Sequence, residues 1–391
     1  MKLTVIGFGQ CGGRIADQFA RLNQRSRTLR GLEIIPGTFA VNTDIADLSG
    51  LRVIKSDYQH RILIGGRKTD GHGVGKINEL GAEVAREDSD KVIETVRASR
   101  SSSEVDAFLL IAGSAGGTGS GSIAVMTQHI KERYIDKPVY NMIVLPFEHE
   151  ETTEERTVYN VATCLKSSYL VADAIFLVDN QRYVQKDAPI IRNLQKINEL
   201  IVEPFYNILC AGEEKRPKYI GAKMLDAGDI IQTLTGWTTI GYGKSATSGF
   251  RSFFGRKQHF REKATETQSG NQAMDQAIAG LSLKVNPIDA KRAIYLVSAP
   301  SKDINVELIK ELGVYVKNMA PEAVIRSGDY PRDRGQLEIS LIISELSDVE
   351  KVRNYFTKAI NLISSLKRRQ EGMISKQRGI DITIKDIPSL L

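Results

Sequence analysis

Cysteine, histidine and tryptophan are all scarce in this chain of 391 residues, which has three cysteines, five histidines and one tryptophan. The cysteines, Cys11, Cys164 and Cys210, form no CxxC pair, and the histidines do not fall at metal-ligand spacings. We therefore expect neither a disulfide framework nor a zinc site. No dedicated protein metal site is predicted, and any metal ion should be a hard cation bound through oxygen.

A long hydrophobic run is also missing, because no apolar segment approaches the roughly 20 residues that a membrane-spanning helix needs. The first apolar segment, Leu3-Thr-Val-Ile6, has the pattern of a core strand rather than of a targeting peptide. We therefore expect a cytoplasmic protein.

The chain carries little net charge, since 53 lysines and arginines against 47 acidic residues leave +6. Much of the excess lies in Lys244–Lys263 and Leu366–Arg378, which have the composition of a solvated loop and a tail. Neither interleaves aromatic and basic residues, so no nucleic-acid partner is expected. The tail ends in Asp386-Ile-Pro-Ser-Leu-Leu391, which is either a frayed end or a site for a tail-binding protein or membrane adaptor.

What the first half does contain is a series of short apolar strands separated by helical patterns. The expected strands are Leu3–Ile6, Thr38–Val41, Ala107–Ala112, Val139–Leu145 and Ala174–Val178. This alternation predicts an α/β fold with a Rossmann-like parallel sheet. Ligands of such sheets bind at the carboxyl ends of the strands.

The second half predicts a long helix over Asn193–Cys210, which Pro204 should kink or interrupt, followed by a smaller α+β domain. Its expected strands are Ala293–Ala299, Val324–Arg326 and Leu337–Ser344, with helices from Asn305 to Lys317 and from Asp348. The expected divisions are a nucleotide domain (1–190), a core helix (191–215), an acidic loop, helix and basic variable loop (216–264), the smaller domain (265–365) and a basic tail (366–391).

A glycine-rich loop over residues 113–121 follows the strand Ala107–Ala112 and precedes a helical pattern that begins at Ile123. Glycines let successive backbone N–H groups converge on an anion, and the helix start adds its own unpaired amides. Ser120 and Ser122 are available as helix caps. The loop predicts a phosphate site, although no Gly-Lys-Ser/Thr follows as in a P-loop.

The first glycine motif along the chain, with Gly7, Gly9 and Gly12, directly follows the first strand and fits the dinucleotide fingerprint. Alone, this motif would indicate that the protein binds NAD. Two phosphate loops fit a longer phosphate chain better, and Gln10 and Arg14 are then candidate contacts.

A third glycine-rich segment spans residues 64–66 and 71–75, and it is either a flap over a terminal phosphate or a mobile surface loop. In the acidic run over 147–156, either Glu150 or Glu151 is a candidate for the ribose hydroxyls, or the run is simply solvated. Asn180 and Asn198 are candidates for the guanine edge, because an amide offers both a donor and an acceptor.

Asp226 and Asp229 stand at i, i+3, for which two readings are open. Both side chains either cap a helix or position a water and a cation for phosphoryl transfer.

Taken together, the motifs resemble the tubulin/FtsZ superfamily, and most closely its archaeal CetZ proteins. The loop Ala115-Gly-Gly-Thr-Gly-Ser-Gly121 resembles the superfamily signature, and Gly9-Gln-Cys-Gly12 is similar to the first loop of tubulin. Further matches follow in order along the chain: Val41-Asn-Thr43, Gly71–Gly75, Val178-Asp-Asn180, Ile197-Asn-Glu199, Asp226–Leu234 and Arg326-Ser-Gly-Asp-Tyr-Pro331.

The resemblance implies a GTP-binding domain, a core helix and a C-terminal activation domain, with subunits that stack head to tail. It implies that Asp226 and Asp229 act on the GTP of the adjoining subunit. The nucleotide-binding residues that it implies are Gln10, Cys11, Gly12, Gly13, Arg14, Asn42, Gly71, Gly73, Ala115, Gly116, Gly117, Thr118, Gly119, Glu150, Asn180, Leu194 and Asn198. The sequence departs from the family where Ala115 replaces a usual glycine, where Leu194 replaces a base-stacking aromatic residue, and after Pro146.

With this resemblance, we expect a cytoskeletal GTPase that uses GTP, GDP and Mg²⁺ and polymerises with itself, and the likeness to CetZ proteins implies a role in cell shape. One alternative is a nucleotide-dependent structural filament with little hydrolysis. The other is an NAD-dependent oxidoreductase, which would leave the second glycine loop unexplained.

Overall fold

The computed structural model describes residues 1–99, 104–184, 190–245 and 259–363, without the side chains of residues 190–199 and 259–267. The basic variable loop lies largely outside these ranges, and the basic tail with its terminal peptide lies wholly outside them. Among the described residues, no helix combines the length and the apolar composition needed to cross a bilayer.

The described strands form one ten-stranded sheet in the order β3-β2-β1-β4-β5-β6-β7-β10-β8-β9. Their bounds are β1 Leu3–Phe8, β2 Gly37–Asn42, β3 Arg61–Leu63, β4 Ala107–Gly113, β5 Val139–Leu145, β6 Ala174–Asp179, β7 Gly236–Lys244, β8 Arg292–Pro300, β9 Val324–Arg332 and β10 Glu338–Leu346. All pairs are parallel except those of β10 with β7 and β8. The predicted α/β class is confirmed, and the second group of strands joins the same sheet through β7.

Helices cover both faces of the sheet. Their bounds are α1 Gly9–Arg30, α2 Ile45–Ser49, α3 Gly66–Thr69, α4 Asn78–Glu87, α5 Ser89–Ala98, α6 Thr118–Arg133, α7 Glu148–Thr153, α8 Glu155–Val171, α9 Ile190–Ala211, α10 Ala227–Thr233, α11 His259–Ala279 and α12 Val306–Met319. A further helix, α13, spans residues 350–363. Of the two effects expected of Pro204, a kink or an interruption, the structure excludes the interruption, because α9 continues through this residue.

The core lies in two clusters, one on each face of the sheet. Along β4, Phe108 and Leu110 point into one cluster, and Leu109 and Ile111 point into the other. Buried on both faces, such a strand reads as a continuous apolar run. Strands of this kind were predicted from the sequence, whereas β3 and β7 were not.

Candidate functional site

An open cavity of about 300 Å³ lies at the carboxyl edge of the parallel strands. The ends of β1, β2, β4 and β5 reach its wall, as does the residue that follows β6. Its lining consists of Phe8, Gly9, Gln10, Cys11, Asn42, Asp44, Asp47, Gly73, Lys76, Gly113, Ala115, Gly116, Gly117, Thr118, Gly119, Val144, Leu145, Pro146, Glu150 and Asn180. The cavity is where a parallel sheet is expected to bind a ligand.

Most of the predicted nucleotide-binding residues line this cavity. Those that do are Gln10, Cys11, Asn42, Gly73, Ala115, Gly116, Gly117, Thr118, Gly119, Glu150 and Asn180. Gly12, Gly13, Arg14 and Gly71 are not in its lining, and Leu194 and Asn198 belong to the residues whose side chains are not described.

The glycines of the first motif serve the packing of α1 against the sheet. A Cβ on Gly7 would lie 2.2 Å from the carbonyl oxygen of Gly12, and one on Gly12 would lie 2.1 Å from that of Ile111. Gly13 packs beside Leu51, and the side chain of Arg14 is exposed. Gly12, Gly13 and Arg14 therefore lie behind or beside the part of the cavity wall that is formed by Gly9, Gln10 and Cys11.

The second glycine loop passes into α6 earlier than the sequence indicates, because the helix begins at Thr118. Ser120 and Ser122 are not its caps: Ser120 donates to the carbonyl of Gly116, and Ser122 to that of Gly81 at 3.4 Å. The first turn of α6 therefore forms part of the cavity wall, and an anion there would meet unpaired helix amides.

The third glycine segment packs against the second loop. A Cβ on Gly117 would come within 2.5 Å of Val74 Cγ2, and the Asn160 amide donates to the carbonyls of Lys76 and Ala115, each at 2.9 Å. Gly73 and Lys76 thereby reach the cavity. Gly71, in contrast, packs on Ile45, where an added Cβ would lie 2.5 Å from Cδ1.

Three charged residues of the lining, Asp44, Asp47 and Lys76, were not predicted as site residues. Asp47 accepts from the Gln10 amide at 2.6 Å and from the Asn42 amide at 3.1 Å, and Lys76 pairs with Glu154 at 2.6 Å. The signal for Asp47 was its i, i+3 spacing from Asp44, directly after β2.

The donor set of this wall suits Mg²⁺. The ion is commonly held by one or two carboxylates together with substrate phosphates and water. Asp44 and Asp47 offer carboxylates here, and no group of three potential metal ligands occurs among the residues that the structure describes. These two acids fit a cation that a phosphate ligand helps to hold.

Cys11 is a neutral wall residue. Burial raises the pKa of its thiol from 9.0 to about 12, although the nearby Arg14 acts in the opposite direction. At neutral pH the side chain therefore carries no charge that would repel a phosphate.

The structure places the two candidate glutamates, Glu150 and Glu151, differently. Glu150 lines the cavity, and its carboxylate accepts from the backbone N–H of Phe147 at 2.9 Å. Glu151 turns away and contacts Tyr355 and Lys358.

Of the two acids, Asp226 caps a helix and Asp229 does not. Asp226 is the N-cap of α10 and accepts from the backbone N–H of Asp229 at 2.8 Å. Asp229 pairs through its own carboxylate with Arg326 Nε at 3.1 Å. Asp226 remains exposed, so its second carboxylate oxygen is accessible to solvent or to a partner.

These acids and the cavity lie at opposite edges of the sheet. β7 runs parallel to β6 with Gly236 opposite Ala174, so α10, which ends just before β7, lies at the amino edge. The cavity lies at the carboxyl edge. One molecule therefore cannot bring its own acids to its own cavity.

Comparison with known proteins identifies the family. Residues 2–186 match "Tubulin/FtsZ family, GTPase domain", and residues 189–361 match "Tubulin-like CetZ, C-terminal domain". The tubulin-like protein CetZ1 of Haloferax volcanii is 31% identical over 90% of both chains.

Solved structures agree with this match. CetZ1 from Haloferax volcanii, a GDP-bound monomer, has a TM-score of 0.78 and 29% identity and covers 92% of this chain and 99% of its own. CetZ2 from the same organism, a "GTPgS bound protofilament", also scores 0.78, with 26% identity over 94% of this chain and 100% of its own. The chain belongs to the tubulin/FtsZ family, among the tubulin-like CetZ proteins.

Proposed function

We propose that the protein binds and hydrolyses GTP and polymerises head to tail, with each active site completed by the neighbouring subunit. The observation that carries this proposal is the separation of the cavity and the acid pair at opposite edges of one sheet. In a head-to-tail stack the amino edge of one subunit meets the carboxyl edge of the next, so Asp226 and Asp229 would face a neighbour's cavity.

The relatives support both parts of the proposal. A CetZ1 structure holds GDP, and a CetZ2 structure is a protofilament with a bound GTP analogue. We also propose that the filament is cytoplasmic and has a role in cell shape, as the resemblance of the sequence motifs to CetZ proteins implies.

Within the shared site, the chain's own residues would mainly position the reacting groups and compensate their charge. These two effects dominate the catalysis of phosphoryl transfer. The loop over residues 115–119 and the start of α6 would hold the phosphates, and Asn180 and Glu150 would contact base and ribose. Asp44 and Asp47 would hold Mg²⁺, which supplies charge neutralisation at the phosphates. Asp226 and Asp229 would orient the attacking water.

The test is phosphate release from GTP in the presence of magnesium, measured per subunit across protein concentrations and alongside sedimentation of polymer. We expect negligible specific activity below a threshold and a rise as polymer appears. An Asp226→Asn, Asp229→Asn double variant serves as the matched control, which should bind GTP but turn it over slowly. A specific activity that does not depend on concentration, or a double variant that hydrolyses GTP as fast as an active wild type, would contradict the shared site. Polymer that binds GTP but releases negligible phosphate in the wild type and the double variant alike would indicate a structural filament.

A further inference from the structure

The helix α13 holds two elements of the cavity rim from outside the cavity. The first, here called the base-side turn, is the 3₁₀ turn Asn180–Tyr183, whose first residue lines the cavity. The second is α7, whose Glu150 lines the cavity on the other side. The two are linked where the backbone N–H of Glu148 donates to the Gln181 side chain at 3.3 Å.

Lys351 of α13 holds the base-side turn through Asp179. Its ammonium lies 2.8 Å from Asp179 Oδ2, while Oδ1 of the same carboxylate accepts from the backbone N–H of Gln181 at 3.1 Å. Asp179 is buried, so losing Lys351 would leave its charge without a cationic partner. The carboxylate thus fixes the turn that begins with Asn180 only while Lys351 compensates its charge.

Tyr355, one turn further along α13, holds α7. Its hydroxyl donates to Glu151 Oε1, and Lys358 lies 3.1 Å from Glu151 Oε2. Burial, together with the Glu151 carboxylate, holds the pKa of Tyr355 above its ordinary value, so the hydroxyl keeps the proton that it donates. These two contacts hold Glu151 outside the cavity. They thereby orient α7 so that Glu150 lines the cavity.

α13 is itself firmly docked. Val352, Tyr355 and Ala359 are buried and belong to the core cluster on one face of the sheet. The helix therefore provides a rigid support for both rim elements.

We propose that Lys351 and Tyr355 are positioning residues that set the affinity and the selectivity of the nucleotide site without touching the nucleotide. Lys351 acts on the base contact through Asp179, and Tyr355 acts on the ribose contact through Glu151. This inference rests on the proposed guanine-nucleotide site. Because such coupling is reciprocal, occupation of the cavity also stabilises the docking of α13.

The test is calorimetric titration of the full chain with GDP, inosine diphosphate and 2′,3′-dideoxy-GDP. For Lys351→Met we expect GDP affinity to fall by about tenfold, with a reduced preference for GDP over inosine diphosphate. Asp179→Asn removes the buried charge and keeps an acceptor for Gln181, so in the Lys351→Met background it should restore most of the lost GDP affinity. Tyr355→Phe should instead reduce the preference for GDP over the dideoxy nucleotide.

Arg353→Met is the matched control, because it removes an exposed cation of the same helix whose ion pair, among the residues that the structure describes, is a local one with Asp348. It should bind all three nucleotides as the wild type does. Hydrogen exchange gives a second readout: GDP should slow exchange across 350–363 in the wild type and less so in Lys351→Met. Equal GDP affinity and selectivity in wild type, Lys351→Met and Tyr355→Phe would overturn the inference alone, whereas a wild type that binds no guanine nucleotide would overturn the proposed function and the inference with it.

Discussion

At the scale of single residues, Asp226 has two tasks that can be separated. Its side chain caps α10, a role that asparagine fills as well as aspartate. Its proposed catalytic role needs the negative charge, which asparagine lacks. One position can therefore distinguish the two readings that the sequence left open.

We predict that Asp226→Asn leaves the free energy of unfolding unchanged and lowers GTP turnover by at least about a hundredfold. Asp226→Ala should lose the same turnover and, because the cap is removed, about 1 kcal/mol of stability. Urea denaturation and phosphate release check the two effects. If Asp226→Asn hydrolysed GTP as fast as the wild type, Asp226 would act only as a helix cap.

At the scale of elements, α4 and α6 approach so closely that their contact depends on glycine. A Cβ on Gly121 of α6 would lie 2.2 Å from the carbonyl oxygen of Asn78, and one on Gly81 of α4 would lie 2.4 Å from that of Gly117. These backbone atoms cannot move aside as a flexible side chain can. The second glycine loop and the start of α6 are thus held against α4 by close backbone packing.

We predict that Gly121→Ala destabilises the protein by about 1–3 kcal/mol, because overpacking exceeds the gain of up to about 1 kcal/mol in helix propensity. Gly116→Ala is the matched control, since its Cβ would meet no atom within 4 Å. Thermal unfolding of both variants checks this. Equal melting temperatures would refute the packing argument.

How far the sequence predicts these elements depends on the signal that each carries. β1, β4, β5 and β6 are buried apolar runs and were recognised, whereas β7, Gly236–Lys244, is rich in threonine and glycine and was not. The start of α6 was missed because glycine disfavours helices, and packing against α4 overrides that preference. The position of Lys76 at the cavity depends on Glu154 and Asn160, which are distant in sequence, so no local pattern reveals it.

At the scale of the whole molecule, all three cysteines lie in environments that disfavour the thiolate. Burial raises the pKa of Cys11, Cys164 and Cys210 from 9.0 to about 12 in each case. The folded state therefore keeps thiol protons that the unfolded state loses above pH 9.0. Stability must fall as the pH rises through this window.

We predict that the wild type loses about 2 kcal/mol more stability than Cys164→Ala between roughly pH 9 and pH 10.5, at about 1.4 kcal/mol per pH unit for one thiol. Below the window the difference between the two proteins should not vary with pH. Urea denaturation of both proteins at several pH values measures this difference in the free energy of unfolding. Parallel pH dependences would show that Cys164 ionises normally in the folded state.

The central claim is that one subunit's acids serve its neighbour's cavity, and mixing two inactive variants tests it most directly. Asp226→Asn with Asp229→Asn keeps the cavity and loses the acids, whereas Gly116→Asp places a carboxylate in the cavity and keeps the acids. Gly66→Asp, at another open glycine away from the cavity, is the control and should stay active.

The account predicts that each inactive variant alone releases little phosphate from GTP and that their mixture releases far more than the sum, because mixed interfaces join an intact cavity to intact acids. A mixture that equals the sum of its parts, in variants shown to associate, would contradict a shared active site.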